Sequence, residues 1–172
     1  LESSDCSWHS VQLMITDACN SIVTTNLDTT FEDALNYKLK ESGKNSKCAY
    51  QTLAKLSLEN VTKPYHITYL HGRRDEHEII LKTADYLKHY PSLNGGKKSK
   101  LEEVLEGILR SGITLVFVGF SFNDRYILRT FERVFGEMKT EAGRETRGGS
   151  SLLDETRHFA MMQEPVCEAE RK

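Results

Sequence analysis

Apolar positions along this chain recur at two different periods. Val11, Met14, Ile15 and Ala18 have helical spacing, which predicts the end of a helix over 11–18, stopped near Asn20. Ile22 to Thr25 is a short β-branched run and predicts a parallel strand buried on both faces. A polar turn follows, and Phe31, Ala34, Leu35 and Leu39 then share one side of a predicted helix, with Glu32 and Asp33 in its first turn where the dipole favours negative charge. Residues 40–63 are polar, with a loop over Glu41 to Asn45 and a short helix expected over Ala49 to Leu58.

Tyr65 to Leu70 alternates as a strand should and ends at His71-Gly72, with a shorter strand expected at Glu78 to Leu81. A helix from Thr83 to Tyr90 is halted by Pro91, and Asn94 to Lys98 is a loop. Leu101, Val104, Leu105, Ile108 and Leu109 then mark a helix that stops at Ser111-Gly112. Ile113 to Val118 is the most strand-like stretch, ending at Gly119-Phe120-Ser121, and Asn123-Asp124 opens an amphipathic helix carrying Ile127, Leu128, Phe131, Val134 and Phe135. Thr140 to Ser150 is expected to be a mobile loop, with a last strand at His158 to Met162.

Helices alternating with apolar, β-rich strands predict an α/β fold, Rossmann-like, with a mostly parallel sheet flanked by helices. The 172 residues are expected to form a single domain over 1–163, followed by a polar tail or linker at 164–172. A net charge of -2 from 23 basic and 25 acidic residues gives no global field for nucleic acid or an anionic membrane, so neither is expected as a partner. Cys6, Cys19, Cys48 and Cys167 form no CxxC pair and no Cys/His cluster, so neither a metal site nor a disulfide framework is expected. The longest apolar run, Ile113 to Phe120, is too short to span a bilayer, and the opening LESSDCSWHS has no signal core, so the expected location is cytoplasmic. With no initiator Met, the chain reads as a segment of something longer.

In doubly wound sheets, ligands bind beyond the carboxyl ends of the strands. Three predicted strands end in polar or glycine-containing groups: Thr25-Asn26-Leu27-Asp28, His71-Gly72, and Gly119 through Asp124. Parallel strands would bring all three to one rim. Singly, each has a plain alternative. Asn26 or Asp28 can cap the next helix, His71 can be a turn residue, and Gly119 and Ser121 can form a tight turn. Arg73 and Arg74 can contact phosphate, although beside Asp75 and Glu76 they read as solvated surface.

Taken together, the block Thr25-Asn26-Leu27-Asp28, then His71-Gly72, then Gly119-x-Ser121 resemble the ordered blocks of sirtuin-like NAD-binding domains. The stretches TTNLDTTFEDAL, YLHGR with IILKTADY, and TLVFVGFSFNDRYI are similar to the divergent sirtuin-like domains of bacterial antiphage defence proteins. The resemblance covers roughly residues 20–137. It implies an NAD site in which Asn26 lies near the nicotinamide ribose, His71 acts as general base, and Thr25, Asp28, Gly119, Ser121 and Asn123 contact the cofactor. Asp85-Tyr86 also fits the pattern and is expected to be structural, with the Tyr ring packed in the core.

Two departures qualify the resemblance. Sirtuin deacylases carry two CxxC pairs around a structural zinc, and this chain has none, which favours NAD cleavage over protein deacylation. The family also opens with a strand and a Gly-Ala-Gly loop for the pyrophosphate, and nothing before Ile22 resembles it, so the domain is expected to lack both. The reading is therefore an NAD glycohydrolase with NAD as substrate, acting in antiphage defence by NAD depletion, homo-oligomeric, and joined to further domains or subunits. A non-catalytic nucleotide sensor or an inactive segment is the alternative, and a deacylase is the third.

Overall fold

The computed structural model of the chain describes residues 12, 14–16, 18–19, 21–44, 46–118, 123–145 and 159–161. Two compact units divide it, Leu1–Val104 and Leu105–Lys172. The first holds a parallel sheet of three strands in the order β1-β3-β2, with β1 at Ser21–Thr24, β2 at Ala49–Gln51 and β3 at His66–Tyr69. Ser21 pairs with His66 and Thr24 with Tyr69, so the two strands end level. All four residues of β3 are buried, as a central parallel strand requires. Ile22, Leu35, Ile67 and Tyr69 form the core here, with Phe31 and Cys48 packed against them.

β1 runs through a polar loop into the helix Thr30–Glu41, whose buried face carries Ala34, Leu35 and Leu39 as the spacing predicts. Gln12, Met14, Ile15, Thr16 and Ala18 are helical, in keeping with the helix expected over 11–18. β3 begins at His66 rather than Tyr65, because Tyr65 sits in the left-handed region with φ 57° and cannot continue a strand. The helix expected over Ala49 to Leu58 is instead β2, a 3₁₀ turn at Leu53–Lys55 and one helical turn at Leu58–Val61. The buried Gln51 side chain decides this: it accepts from Ser57 N at 2.8 Å and donates to Ser57 O at 3.1 Å and Thr68 Oγ1 at 2.8 Å. Those bonds fold the segment back on itself and override local helix propensity.

The strand expected at Glu78 to Leu81 does not form. Its backbone is used elsewhere: Ile80 N donates to His71 O at 2.8 Å, and Leu81 N and Lys82 N donate to Asp85 Oδ2 at 3.1 and 2.8 Å. Asp85 thereby opens the helix Thr83–His89, and these two amides hold its carboxyl below the ordinary range. The next helix, Lys100–Arg110, starts at Ser99-x-x-Glu102, a reciprocal cap in which Glu102 N donates to Ser99 Oγ at 3.2 Å and Ser99 N donates to Glu102 Oε2 at 2.8 Å. Glu102 is fully buried and also accepts from the Ser92 hydroxyl, while Ser99 Oγ donates to His89 O at 2.5 Å. The carboxylate therefore gathers three consecutive segments.

In the second unit, β4 at Val116–Val118 pairs in parallel with β5 at Phe159–Met161. β4 is shorter than the six residues whose pattern predicts it, and β5 lies where the last strand is expected. Asp124 Oδ1 accepts from Tyr126 N and Ile127 N, both at 3.0 Å, and so caps the helix Arg125–Glu145. This helix takes in Thr140 to Glu145, which the sequence pattern assigns to a loop. Thr140 Oγ1 donates to Gly136 O at 2.9 Å, and Arg110 grips Glu141 at 2.8 Å and Glu137 at 2.7 Å, extending the helix past the point where apolar spacing ends. Residues 146–150 lie outside the described residues.

Two outcomes test this framework. Glu102→Ala leaves Ser92 and Ser99 donors without their buried acceptor, so chemical denaturation should report a loss of about 2–4 kcal/mol. The second outcome concerns pH. Burial pushes the His66 imidazole below its ordinary value, and the Lys63 ammonium adds to it. A lowered folded pKa means that folding expels the proton. That stability is fully present above the unfolded value near 6.5 and is lost as pH falls through the lowered folded value. Thermal melts should therefore fall as pH drops below about 6.5, and His66→Phe should flatten that part of the curve.

Candidate functional site

Because β1 and β3 are adjacent and parallel, the loops that follow them leave the same rim of the sheet. The backbone joins the loops: Leu70 N donates to Thr24 O and Arg74 N to Leu27 O, each at 2.9 Å. The structure thus brings Thr25, Asn26 and Asp28 to the rim that carries His71. Gly119 and Ser121 lie outside the described residues, and Asn123 is exposed in the second unit beside the helix-capping Asp124.

The first loop separates the two roles open to Asn26 and Asp28. Asp28 Oδ1 accepts Thr30 N at 3.0 Å, so Asp28 steadies the start of the helix Thr30–Glu41. Asn26 does not cap. Its backbone N donates to Thr24 Oγ1 at 3.0 Å, turning the chain sharply after β1, and its residue is exposed. The exposed carboxamide can donate and accept at the rim.

His71 is 6 % exposed and sets its ring edge-to-face against Tyr86, centroids 5.4 Å apart, with Tyr86 in turn stacked on Tyr90 at 6.1 Å. Tyr86 is thus a packing residue. Gly72 follows in the left-handed region at φ 85°, and a Cβ there would stand 2.3 Å from the Glu78 carbonyl oxygen. Only glycine satisfies both conditions.

Arg73 is not the solvated residue that its acidic neighbours suggest. Its side chain is 14 % exposed, and it forks onto Glu32, with Nε to Oε1 at 2.6 Å and Nη2 to Oε2 at 3.1 Å. It also pairs with Asp75 and lies over the Tyr50 ring at 4.6 Å. Tyr69 OH donates to Glu32 Oε1 at 2.7 Å. Burial, then the Glu32 hydrogen bond, push the Tyr69 hydroxyl pKa upward, and the Glu32 hydrogen bond raises that of Arg73. Arg73 is therefore committed to protein partners, whereas Arg74 is exposed.

Glu32 and Tyr69 carry no signal in the motif pattern, but one sign was available. Glu32 shares the apolar stripe of Leu35 and Leu39, and a carboxylate on a buried face demands a cation. Cys48 offers no competing nucleophile: burial first, then the Glu32 charge, push its thiol up to about 11. Among the described residues, no group of three or more His, Cys, Asp or Glu side chains could hold a metal, and no helix is long and apolar enough to cross a membrane.

Polar loops on the carboxyl rim of a small parallel sheet flanked by helices are the arrangement of doubly wound, nucleotide-binding α/β proteins. A family model described as SIR2-like domain matches residues 20–172, and the chain belongs to that family. Membership links it to NAD. No curated protein and no solved structure matches it.

Gly72→Ala is expected to cost at least about 2 kcal/mol in a denaturant melt, because strain at positive φ adds to the collision with the Glu78 carbonyl. Ala at Gly43, also at positive φ but with open space around it, should cost less.

Proposed function

We propose that this chain is an NAD glycohydrolase domain that cleaves the nicotinamide–ribose bond to nicotinamide and ADP-ribose. The observation that carries the reading is the pair of loops tied together by Arg74 N to Leu27 O, with an exposed carboxamide at Asn26 and an imidazole at His71 on one rim. An amide and an imidazole suit the hydroxyls of the nicotinamide ribose, and the exposed Arg74 guanidinium suits a phosphate. NAD brings a cationic pyridinium at the anomeric carbon, a leaving group that needs no acid.

In the proposed reaction the C–N bond breaks with its electron pair going to nicotinamide, and water forms the new C–O bond. Asn26 orients that water by accepting a hydrogen bond from it. His71 takes the proton that this water releases, directly or relayed through a ribose hydroxyl. The resemblance to antiphage proteins supports a setting in which NAD depletion is the output of a larger, homo-oligomeric assembly in the cytoplasm.

A second reading is favoured by the burial of His71. An imidazole 6 % exposed is reached only when its cover moves, which suits a module that binds NAD and signals without turnover.

Nicotinamide release from NAD by the full chain, with and without an acylated peptide, separates the readings. Release without peptide is expected, His71→Ala should lower it by at least about a hundredfold, and Asn26→Ala should reduce kcat more than it raises KM. Arg74→Ala should raise KM with kcat little changed. Binding without release would support the sensor, and dependence on peptide would support deacylation.

A further inference from the structure

We propose that Glu32 is a positioning residue, acting through Arg73 to hold His71 and Asn26 in register; this rests on the reading of those two residues as the reacting pair. Glu32 stands in the first turn of the helix after β1, with its side chain 10 % exposed. Its two oxygens receive three hydrogen bonds, two from Arg73 and one from Tyr69. An apolar residue would fill such a position at least as stably, because a buried pair pays desolvation on both sides. What the fork supplies instead is direction: a bidentate guanidinium–carboxylate contact fixes distance and plane together.

That direction is passed to the rim in two short steps. Arg73 is pinned by Glu32, Asp75 and the Tyr50 face. The next residue, Arg74, donates its backbone N to Leu27 O, and Leu27 lies between Asn26 and Asp28. Before Arg73, Gly72 is wedged against the Glu78 backbone, and His71 O receives Ile80 N. The loop bearing His71 thus has little freedom except as the Glu32–Arg73 fork allows, and the loop bearing Asn26 is tied to it. A displacement of the order of 1 Å in such a pair can cost about a hundredfold in rate.

A purely stabilising ion pair and a positioning one differ in what survives when the protein is folded. The test compares the full chain with Glu32→Gln, Arg73→Met and the double variant, assayed well below each melting temperature. Expected are a kcat at least about tenfold lower in each single variant, KM within about threefold, and a double variant no slower than the worse single, because one contact is removed in every case. A Glu32→Gln protein that is folded and retains kcat within about twofold overturns the proposal.

If the unaltered chain releases no nicotinamide, the catalytic reading fails by itself, and NMR of the ligand-free chain decides the positioning. Glu32→Gln should then shift the His71 ring-proton and Asn26 side-chain amide resonances while leaving those of His66 in place. Unmoved His71 and Asn26 signals overturn the proposal. Should Glu32→Gln fail to fold, Arg73→Lys, which keeps the charge but cannot fork, carries the same expectations.

Discussion

The buried fork between Glu32 and Arg73 is the contact on which the first unit turns. It joins the helix after β1 to the loop after β3, and through Tyr69 and the Tyr50 ring it reaches the end of β3 and the edge strand β2. Four elements with little sequence in common therefore meet at one carboxylate. Neither charge is fully enclosed, so the desolvation cost is smaller than for a sealed pair, while the geometry of the fork is kept. A second carboxylate, Glu102, acts similarly on a more local scale, drawing Ser92, Ser99 and the His89 carbonyl around the start of a helix.

At the rim, the question whether Asn and Asp after β1 serve the helix or a ligand divides between them. Asp28 serves the helix through Thr30 N. Asn26 is held only by its main chain and faces outward, so its carboxamide is the polar group this loop has to spare. The arrangement also explains why Thr24 matters beyond strand propensity: its hydroxyl closes the turn that lifts Asn26 off the sheet.

Much of this was legible in the amino-acid pattern, for physical reasons that vary by element. The helices at Thr30–Glu41, Thr83–His89 and Lys100–Arg110 and the strands β1 and β3 have a strong apolar period or a buried β-branched run, which tertiary contacts reinforce. Where side-chain bonds compete with the backbone, the pattern misleads. Gln51 converts an expected helix into strand and turn, Asp85 and His71 take the amides that a strand at Glu78 to Leu81 would need, and Arg110 extends a helix into a glycine-containing tract. The candidate site was half legible. Asn26, Asp28 and His71 show themselves as polar residues at strand ends, but Arg73 reads as surface because its partner lies 41 residues away.

The glycine after His71 has a mechanical consequence. With no room between Gly72 and the Glu78 carbonyl, and with Ile80 N bonded to His71 O, the chain at 71–72 is packed directly against the chain at 78–80. Glu78 in turn grips Lys88 at 2.6 Å and approaches His89 at 3.4 Å, near the far end of the helix Thr83–His89. Tyr86 lies on this same helix, so exposing the imidazole means giving up a ring contact that the helix supplies.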